Sequence, residues 1–397
     1  MRCCYTRCVP RVFPFRGLVF DPAIVGRLEL VTAPPYDVIS EARRREFQAG
    51  SPFSVVHLDL AAERDNPVAR YARAARLLGR WESDGAIVRR PEETYFAYEM
   101  RFRLDGQPRR VRGLCCAMEL EDWGGGIVPH ERTMPGPIED RLELLRATRT
   151  HLSAVYGTIR GPNGSLADLL ESAASPAPIA SLVDEQGVEH RVWPVAAIEP
   201  VSAWLVDEPL MIADGHHRYT TALQYRNERH AADGPGPWDR MLTFVVDAGA
   251  ERVPVLPFHR IQLSGDVPTG GSPVGGLDRL LAALSDDDLV IGLVSRESGE
   301  LRHRTLSLRG EPPAVRGLHH EILDRAAPEG ALRFTPDAAE AEAAVRSGEA
   351  LAAWFLPPTT PDRIRKVVER GERLPQKSTF FWPKPRTGMV MMPLDPG

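Results

Sequence analysis

The chain has 397 residues, of which 43% are hydrophobic and 26% charged, and its formal net charge is −5. That length allows two or three domains with a well-buried core, and the mild acidity argues against a broad nucleic-acid-binding face. No apolar run is long enough to span a bilayer, so neither membrane nor nucleic acid is an expected partner. Five cysteines, Cys3, Cys4, Cys8, Cys115 and Cys116, form no C-x-x-C pair, which fits free thiols and a cytoplasmic location. The opening "MRCCYTRCVPRVFPFRG" carries charge but no apolar segment of the secretory type.

In chain order the pattern alternates between strands and helices. "FRGLVF" (15–20) reads as a strand, and the Pro-rich turn "TAPPYDVIS" (32–40) leads into a helix over 41–50 with Ser40 as N-cap. "FSVVHLDL" (53–60) reads as a strand, and 67–87 has the apolar spacing of an amphipathic helix. Residues 93–123 form a hairpin with Asp105-Gly106 at its turn. A glycine-rich loop, Gly124 to Gly126, precedes a long helix whose Glu139, Asp140, Arg141, Glu143, Arg146 and Arg149 read mostly as a solvated face. Strands are expected at "EHRVWPV" (189–195), "LMIA" (210–213), "RMLTFVVD" (240–247) and "VPVLPFHRIQL" (253–263), with a helix directly after 213. "SGDVPTGGSPVGG" (264–276) reads as a linker or long surface loop. The expected organisation is an N-terminal α/β region over 1–125, a core over 126–264 and a smaller C-terminal α/β domain over 265–397.

Four polar clusters stand out. In "LMIADGHHRYTTAL" (210–223) a buried strand ends at Asp214-Gly215 and turns into a helix, which offers backbone N–H groups and a positive dipole end to an anion. Gly215 permits a positive φ or close backbone approach. Asp214 can hold Mg²⁺, Arg218 can grip a phosphate, and His216 and His217 add donors. The plainer reading makes Asp214 a helix N-cap. Adjacent histidines point apart and no H-E-x-x-H is present, so zinc is not expected.

The second cluster is "VPHERTMP", where His130, Glu131 and Arg132 lie in one loop with Thr133. Glu131 suits a base for a substrate hydroxyl and Arg132 an anionic group, though each equally suits a surface ion pair. The third is "LPQKSTFFWPKPRTG" (374–388), whose Lys377-Ser378-Thr379 lacks the glycines of a P-loop, although the lysines, the arginine and the hydroxyls of the segment can still line a phosphate or nucleotide pocket. Snorkelling lysines on an aromatic strand are the alternative there. The fourth is Tyr36-Asp37 in its Pro-Pro turn, either site residues or turn chemistry. "LPFHR", with His259 and Arg260, is a weaker case of the same kind.

In order, "VPHE", "ADGHHR" and the late "QKST" resemble the free serine kinase family of the ParB/sulfiredoxin-like nucleotide-binding superfamily. The whole chain also resembles a poorly characterised bacterial family carrying HERT, DGHHR and KST motifs. The resemblance implies an α/β fold with a mixed sheet, a ParB/sulfiredoxin-like core, an N-terminal elaboration and a smaller C-terminal domain. It implies a kinase that phosphorylates free L-serine, or a similar small hydroxyl metabolite, with Mg²⁺ and ATP or ADP. Glu131 would be the base, with His130 beside it. Asp214 would sit at the metal and phosphates, with Gly215, His216, His217 and Arg218 as phosphate loop and Lys377, Ser378 and Thr379 on phosphate groups. Arg132, Thr133, Tyr36 and Asp37 are candidates for the substrate side.

Two other classes compete with that reading. A ParB-like nucleotide-binding switch needs a helix-turn-helix and a basic face, and neither is read here. A sulfiredoxin-like repair enzyme needs a cysteine in the phosphate loop, where this chain has His216 and His217. The oligomeric state is not legible in the sequence.

Overall fold

The structure is a computed structural model, and it describes residues 11–61, 67–131, 136–160, 165–174, 176–195 and 209–395. The fold is mixed α/β. Two compact units divide the chain: the first comprises Met1–Pro129, Thr133–Arg252 and Pro383–Gly397, the second His130–Arg132 and Val253–Trp382. The first unit therefore draws on all three of the expected segments, and the units part at Arg252.

The first unit is built on a sheet of nine strands among the described residues. They are β1 (Val12–Phe13), β2 (Tyr95–Leu104), β3 (Gln107–Glu119), β4 (Ile127–Pro129), β5 (Val155–Ile159), β6 (Ala180–Val183), β7 (Glu189–Val195), β8 (Leu210–Asp214) and β9 (Arg240–Asp247). The order is β4-β8-β5-β9-β3-β2-β7-β6, with β1 beside β3. β8 runs parallel to β4, and β9 parallel to β5, while the other pairs are antiparallel.

The hairpin β2–β3 turns where the sequence places it. Asp105 and Gly106 both have positive φ, 51° and 72°, as a two-residue turn matched to strand twist requires. Every residue of β5, and all but the first of β9, is buried. Their near-continuous apolar sequence follows from burial on both faces. Gly157 on β5 is required by packing, since a Cβ there would lie 2.6 Å from the Leu210 side chain on β8. Val155, Ile159, Leu210, Ile212, Tyr219 and Leu223 belong to the core that anchors β8 and its following helix.

Three local expectations differ from the structure in this unit. Residues 53–60 contain a short helix, α1 (Val56–Asp59), where the apolar run reads as a strand. The amphipathic helix α2 (Pro67–Ser83) stops before 87, and Ile87–Arg89 instead pairs with Leu18–Phe20. On helix α3 (Gly136–Thr148) Arg141 is buried rather than solvated. Cys115 and Cys116 are buried on β3, and burial pushes both thiols above their ordinary value, unlike a reactive thiolate. Cys3, Cys4 and Cys8 lie outside the described residues.

The second unit holds a six-stranded sheet: β10 (His259–Gln262), β11 (Ser272–Val274), β12 (Val290–Glu297), β13 (Glu300–Ser307), β14 (Leu332–Thr335) and β15 (Ala352–Phe355), in the order β11-β13-β12-β15-β10-β14. Ile261, Val294, Ala341, Val345, Ala353 and Phe355 share its core. The stretch 264–276 is no free linker, because Ser272–Val274 pairs with Thr305, Arg304 and His303 as an edge strand. Among the described residues no helix is long and apolar enough to cross a membrane.

Candidate functional site

In the first unit the site begins at the end of β8. The register of β8 against β5 shifts between Ile212 and Asp214, an irregularity of the kind that re-aims a side chain. Gly215 follows with φ +94° and starts helix α4 (His216–Asp233), accepting the Tyr219 N–H at 2.9 Å. A Cβ on Gly215 would lie 3.0 Å from Arg218 Nη2. Positive φ and that close approach together call for glycine. Gly215 is the N-cap, so Asp214 is not, and no side chain caps the helix.

The Asp214 carboxylate holds two cations instead. Its Oδ2 accepts from Arg218 Nη2 at 2.7 Å and its Oδ1 from Lys384 Nζ at 2.5 Å. Arg218 Nη1 donates to Ser153 Oγ at 3.0 Å and to the Ala154 carbonyl. The Lys384 side chain is only 8% exposed and also lies 3.7 Å from Asp37. Burial works against its charge, but Asp214 and Asp37 outweigh burial and hold the ammonium above the ordinary lysine value. The structure thus brings Asp37 to the same lysine as Asp214.

Tyr36 stands beside it in a short helical turn, Tyr36–Val38, with the Arg141 guanidinium 4.4 Å above its ring. Burial pushes the Tyr36 hydroxyl up. Arg141 reaches Asp59 Oδ1 at 2.6 Å and the Asp59 carbonyl at 2.8 Å. Burial raises the Asp59 carboxyl against the pull of Arg141 and Arg218. His216 is buried and stacked with Trp123 at 6.4 Å between ring centroids, while His217 is half-buried.

The second unit contains His130, Glu131 and the Lys377-Ser378-Thr379 turn. Lys377 has φ +51°. The turn gives its three successive N–H groups to one carboxylate: Lys377 N to Glu131 Oε2 at 3.1 Å, and Ser378 N and Thr379 N to Oε1 at 3.0 and 2.9 Å. The Thr379 hydroxyl donates to the same Oε1 at 2.8 Å, and the His130 Nε2 is 2.6 Å from that hydroxyl oxygen. With the hydroxyl proton committed to Glu131, Nε2 of His130 is the donor. Ser378 Oγ donates to the Pro375 carbonyl at 2.5 Å. The backbone N–H groups of this turn are therefore engaged by a carboxylate of the chain itself. Lys377 Nζ lies 5.4 Å from the Phe258 ring centroid.

Arg132 and Thr133 lie outside the described residues. Arg141 and Asp59 are the residues that the sequence reading missed, and for Lys384 it missed the partner. Lys384 sits in the quoted "WPKPR" segment, but nothing local says that it meets Asp214 170 residues away. His259 and Arg260 are buried on β10. Burial lowers the His259 imidazole to about 4 and the Arg260 guanidinium to about 9, although Glu131 pulls the latter upward.

No protein among the curated sequences matches the chain. Among solved structures, a glutamate-to-alanine mutant of free serine kinase in complex with AMP has a TM-score of 0.37 and 14% identity, over 64% of this chain and 83% of that one. A conserved hypothetical protein from Pyrococcus furiosus has a TM-score of 0.34 and 16% identity, over 65% and 90%. A C-terminally truncated SbnI from Staphylococcus aureus has a TM-score of 0.35 and 13% identity, over 68% and 84%. A family model described as a protein of unknown function, DUF1015, matches residues 12–266, a span that takes in HERT and DGHHR and stops before KST. The chain belongs to the DUF1015 family.

Proposed function

We propose that the protein is a phosphotransferase that uses ATP or ADP with Mg²⁺ to phosphorylate free L-serine or a similar small hydroxyl metabolite, in the cytoplasm. The observation that carries the reading is the group at the end of β8: Asp214 between Lys384 and Arg218, directly before a helix that no side chain caps. Phosphoryl transfer depends on cations and oriented N–H groups around the phosphates more than on covalent chemistry by the protein. A buried lysine and an arginine already facing a carboxylate supply the first, and the α4 N-terminus supplies the second.

In this reading Asp214 would hold Mg²⁺, which would neutralise phosphate charge, and Lys384 and Arg218 would supply the cations for phosphate oxygens. An acidic carboxylate oxygen is the donor that Mg²⁺ prefers. Gly215, His216 and His217 line the phosphate loop, and Asp37 and Tyr36 lie on the substrate side. The proposal assigns Glu131 the role of base: four donors fix its carboxylate in one orientation, and a general base must be held within hydrogen-bond reach of its proton. His130 and the Lys377–Thr379 turn then act by positioning Glu131. That modifies the phosphate-binding role expected of the turn.

The test is an assay of the full chain with Mg²⁺, ATP or ADP and L-serine, read as phosphoserine. Turnover is expected, and Asp214→Asn and Glu131→Gln are each expected to lower it by about 10²-fold or more. Absence of turnover with both nucleotides and with other small hydroxyl compounds would overturn the proposal.

A further inference from the structure

Inside the second unit the chain buries a cation that has no anion bonded to it. Arg260 is 0% exposed on β10, where Ile261 faces the core and strand alternation turns Arg260 to the other side of the sheet. Its guanidinium meets neutral groups. Nη1 donates to the Phe258 carbonyl, Nε to His319 Nε2 at 3.4 Å and Nη2 to the Gln376 carbonyl at 3.5 Å, and the Phe334 ring centroid is 5.4 Å from its central carbon. Among the described residues Arg260 makes no ion pair. His319 serves as a neutral acceptor: burial lowers its pKa to about 4, and its other nitrogen, Nδ1, lies 3.4 Å from Asp324 Oδ1 and carries the ring proton.

A buried charge without a bonded counter-charge is costly, and an apolar side chain of similar length would fill the same space without that cost. What Arg260 stands behind supplies a reason to keep it. Leu374 bridges Glu131 and its N–H donates to the His130 carbonyl at 2.8 Å, so the segment 374–379 runs alongside Glu131. Gln376, whose carbonyl takes Arg260 Nη2, directly precedes Lys377, Ser378 and Thr379, whose N–H groups hold the Glu131 carboxylate. Burial lowers the Arg260 guanidinium to about 9, which leaves it protonated near pH 7, and Glu131 is the acid that pulls it upward. The other titratable groups at this turn are His130, with Nε2 3.4 Å from Glu131 Oε1, and Lys377, with its ammonium 5.4 Å from the Phe258 ring centroid.

We propose that Arg260 is a positioning residue for Glu131: its guanidinium, held behind Gln376, is the fixed positive charge that seats the Glu131 carboxylate on the Lys377–Thr379 turn. Two buried charges are screened little by salt or water, so the attraction does not require a direct bond between them. The neutral acceptors around Arg260 fix where the charge stands and leave it uncancelled. That the seated carboxylate then acts as a base rests on the phosphotransferase reading.

The experiment is amide hydrogen exchange by NMR on the full chain, comparing wild type with Arg260→Met, Arg260→Gln and Arg260→Lys, each checked for folding by thermal melts. In Arg260→Met the Lys377, Ser378 and Thr379 amides are expected to exchange about tenfold faster, the equivalent of ~1.4 kcal/mol, while amides of β12 and β15 keep their wild-type rates. Arg260→Gln keeps donors but no charge and should behave like Arg260→Met. Arg260→Lys keeps the charge and should stay near wild type. Wild-type exchange at the turn in either folded neutral variant would overturn the assignment. So would faster exchange spread evenly over the sheet, or neutral variants that both fail to fold, since each makes Arg260 a residue of general stability. Where the wild type turns over serine, Arg260→Met is expected to lower kcat by about tenfold with KM for nucleotide unchanged. Exchange that follows the charge in a chain without phosphoryl transfer keeps the role of Arg260 and removes the kinase reading instead.

Discussion

Each oxygen of the Asp214 carboxylate faces a different cation, and the two cations come from distant parts of the sequence. Lys384 is the more buried of them. Replacing it with methionine leaves Asp214 one partner and removes a charge that Asp37 also faces. Breaking a buried ion pair from one side destabilises by about 3 kcal/mol, so Lys384→Met is expected to shift chemical denaturation by that order. A change within ~0.5 kcal/mol, the size usual for surface sites, would show that the pair is solvated. In the second unit the Thr379 hydroxyl donates to Glu131 and meets His130. Thr379→Val removes one of the four donors to Glu131 and the hydroxyl that His130 meets, and is expected to destabilise by about 1–3 kcal/mol. Thr379→Ser keeps the hydroxyl and should stay near wild type; equal losses in both variants would mean that methyl packing matters and the hydroxyl does not.

The strand–turn–helix from Leu210 to Asp233 depends on one backbone conformation. Gly215→Ala meets both a φ of +94° and an arginine 3.0 Å away. The left-handed region disfavours a Cβ by about 1–2 kcal/mol, so urea denaturation should show at least that loss, together with weaker nucleotide binding as Arg218 is displaced. This element was legible in sequence, because an apolar run ending in Asp-Gly before a helical pattern has few other readings. The Asp105-Gly106 hairpin was legible for the same reason: two residues that tolerate positive φ sit between two apolar runs. Val56–Asp59 was not, since a short apolar run does not distinguish a strand from one turn of helix. Arg141 misled because its neighbours on α3 are charged, and only tertiary packing against Asp59 and Tyr36 buries it. Nor could the spacing of Lys377-Ser378-Thr379 reveal that a carboxylate 246 to 248 residues earlier takes its N–H groups.

Among the described residues, neutral histidines with little solvent contact set an acid limit. His151 in the first unit, and His259 and His319 in the second, each have a pKa near 4, chiefly through burial, and burial also lowers His190 in the first unit. The unfolded chain protonates them near 6.5. Between those values the unfolded state binds more protons, so stability is complete above pH 6.5 and falls as pH drops toward 4. At pH 5 the loss is about 2 kcal/mol for each histidine near 4. Buried Asp59 and half-buried Glu251, whose carboxyls are raised by desolvation, work in the opposite sense in the first unit. The denaturation transition of the second unit is therefore expected to move more than that of the first between pH 7 and pH 5. Equal movement, or none, would mean that these rings are hydrated.

The central claim is that Asp214, Arg218 and Lys384 form a phosphate and metal site. Calorimetric titration of ADP into the full chain, with and without Mg²⁺, tests it most directly. The account predicts binding that Mg²⁺ strengthens in the wild type, loss of that Mg²⁺ effect in Asp214→Asn, and at least tenfold weaker binding in Lys384→Met. Folded wild-type protein that binds neither ADP nor ATP, or variants that bind as the wild type does, would contradict it.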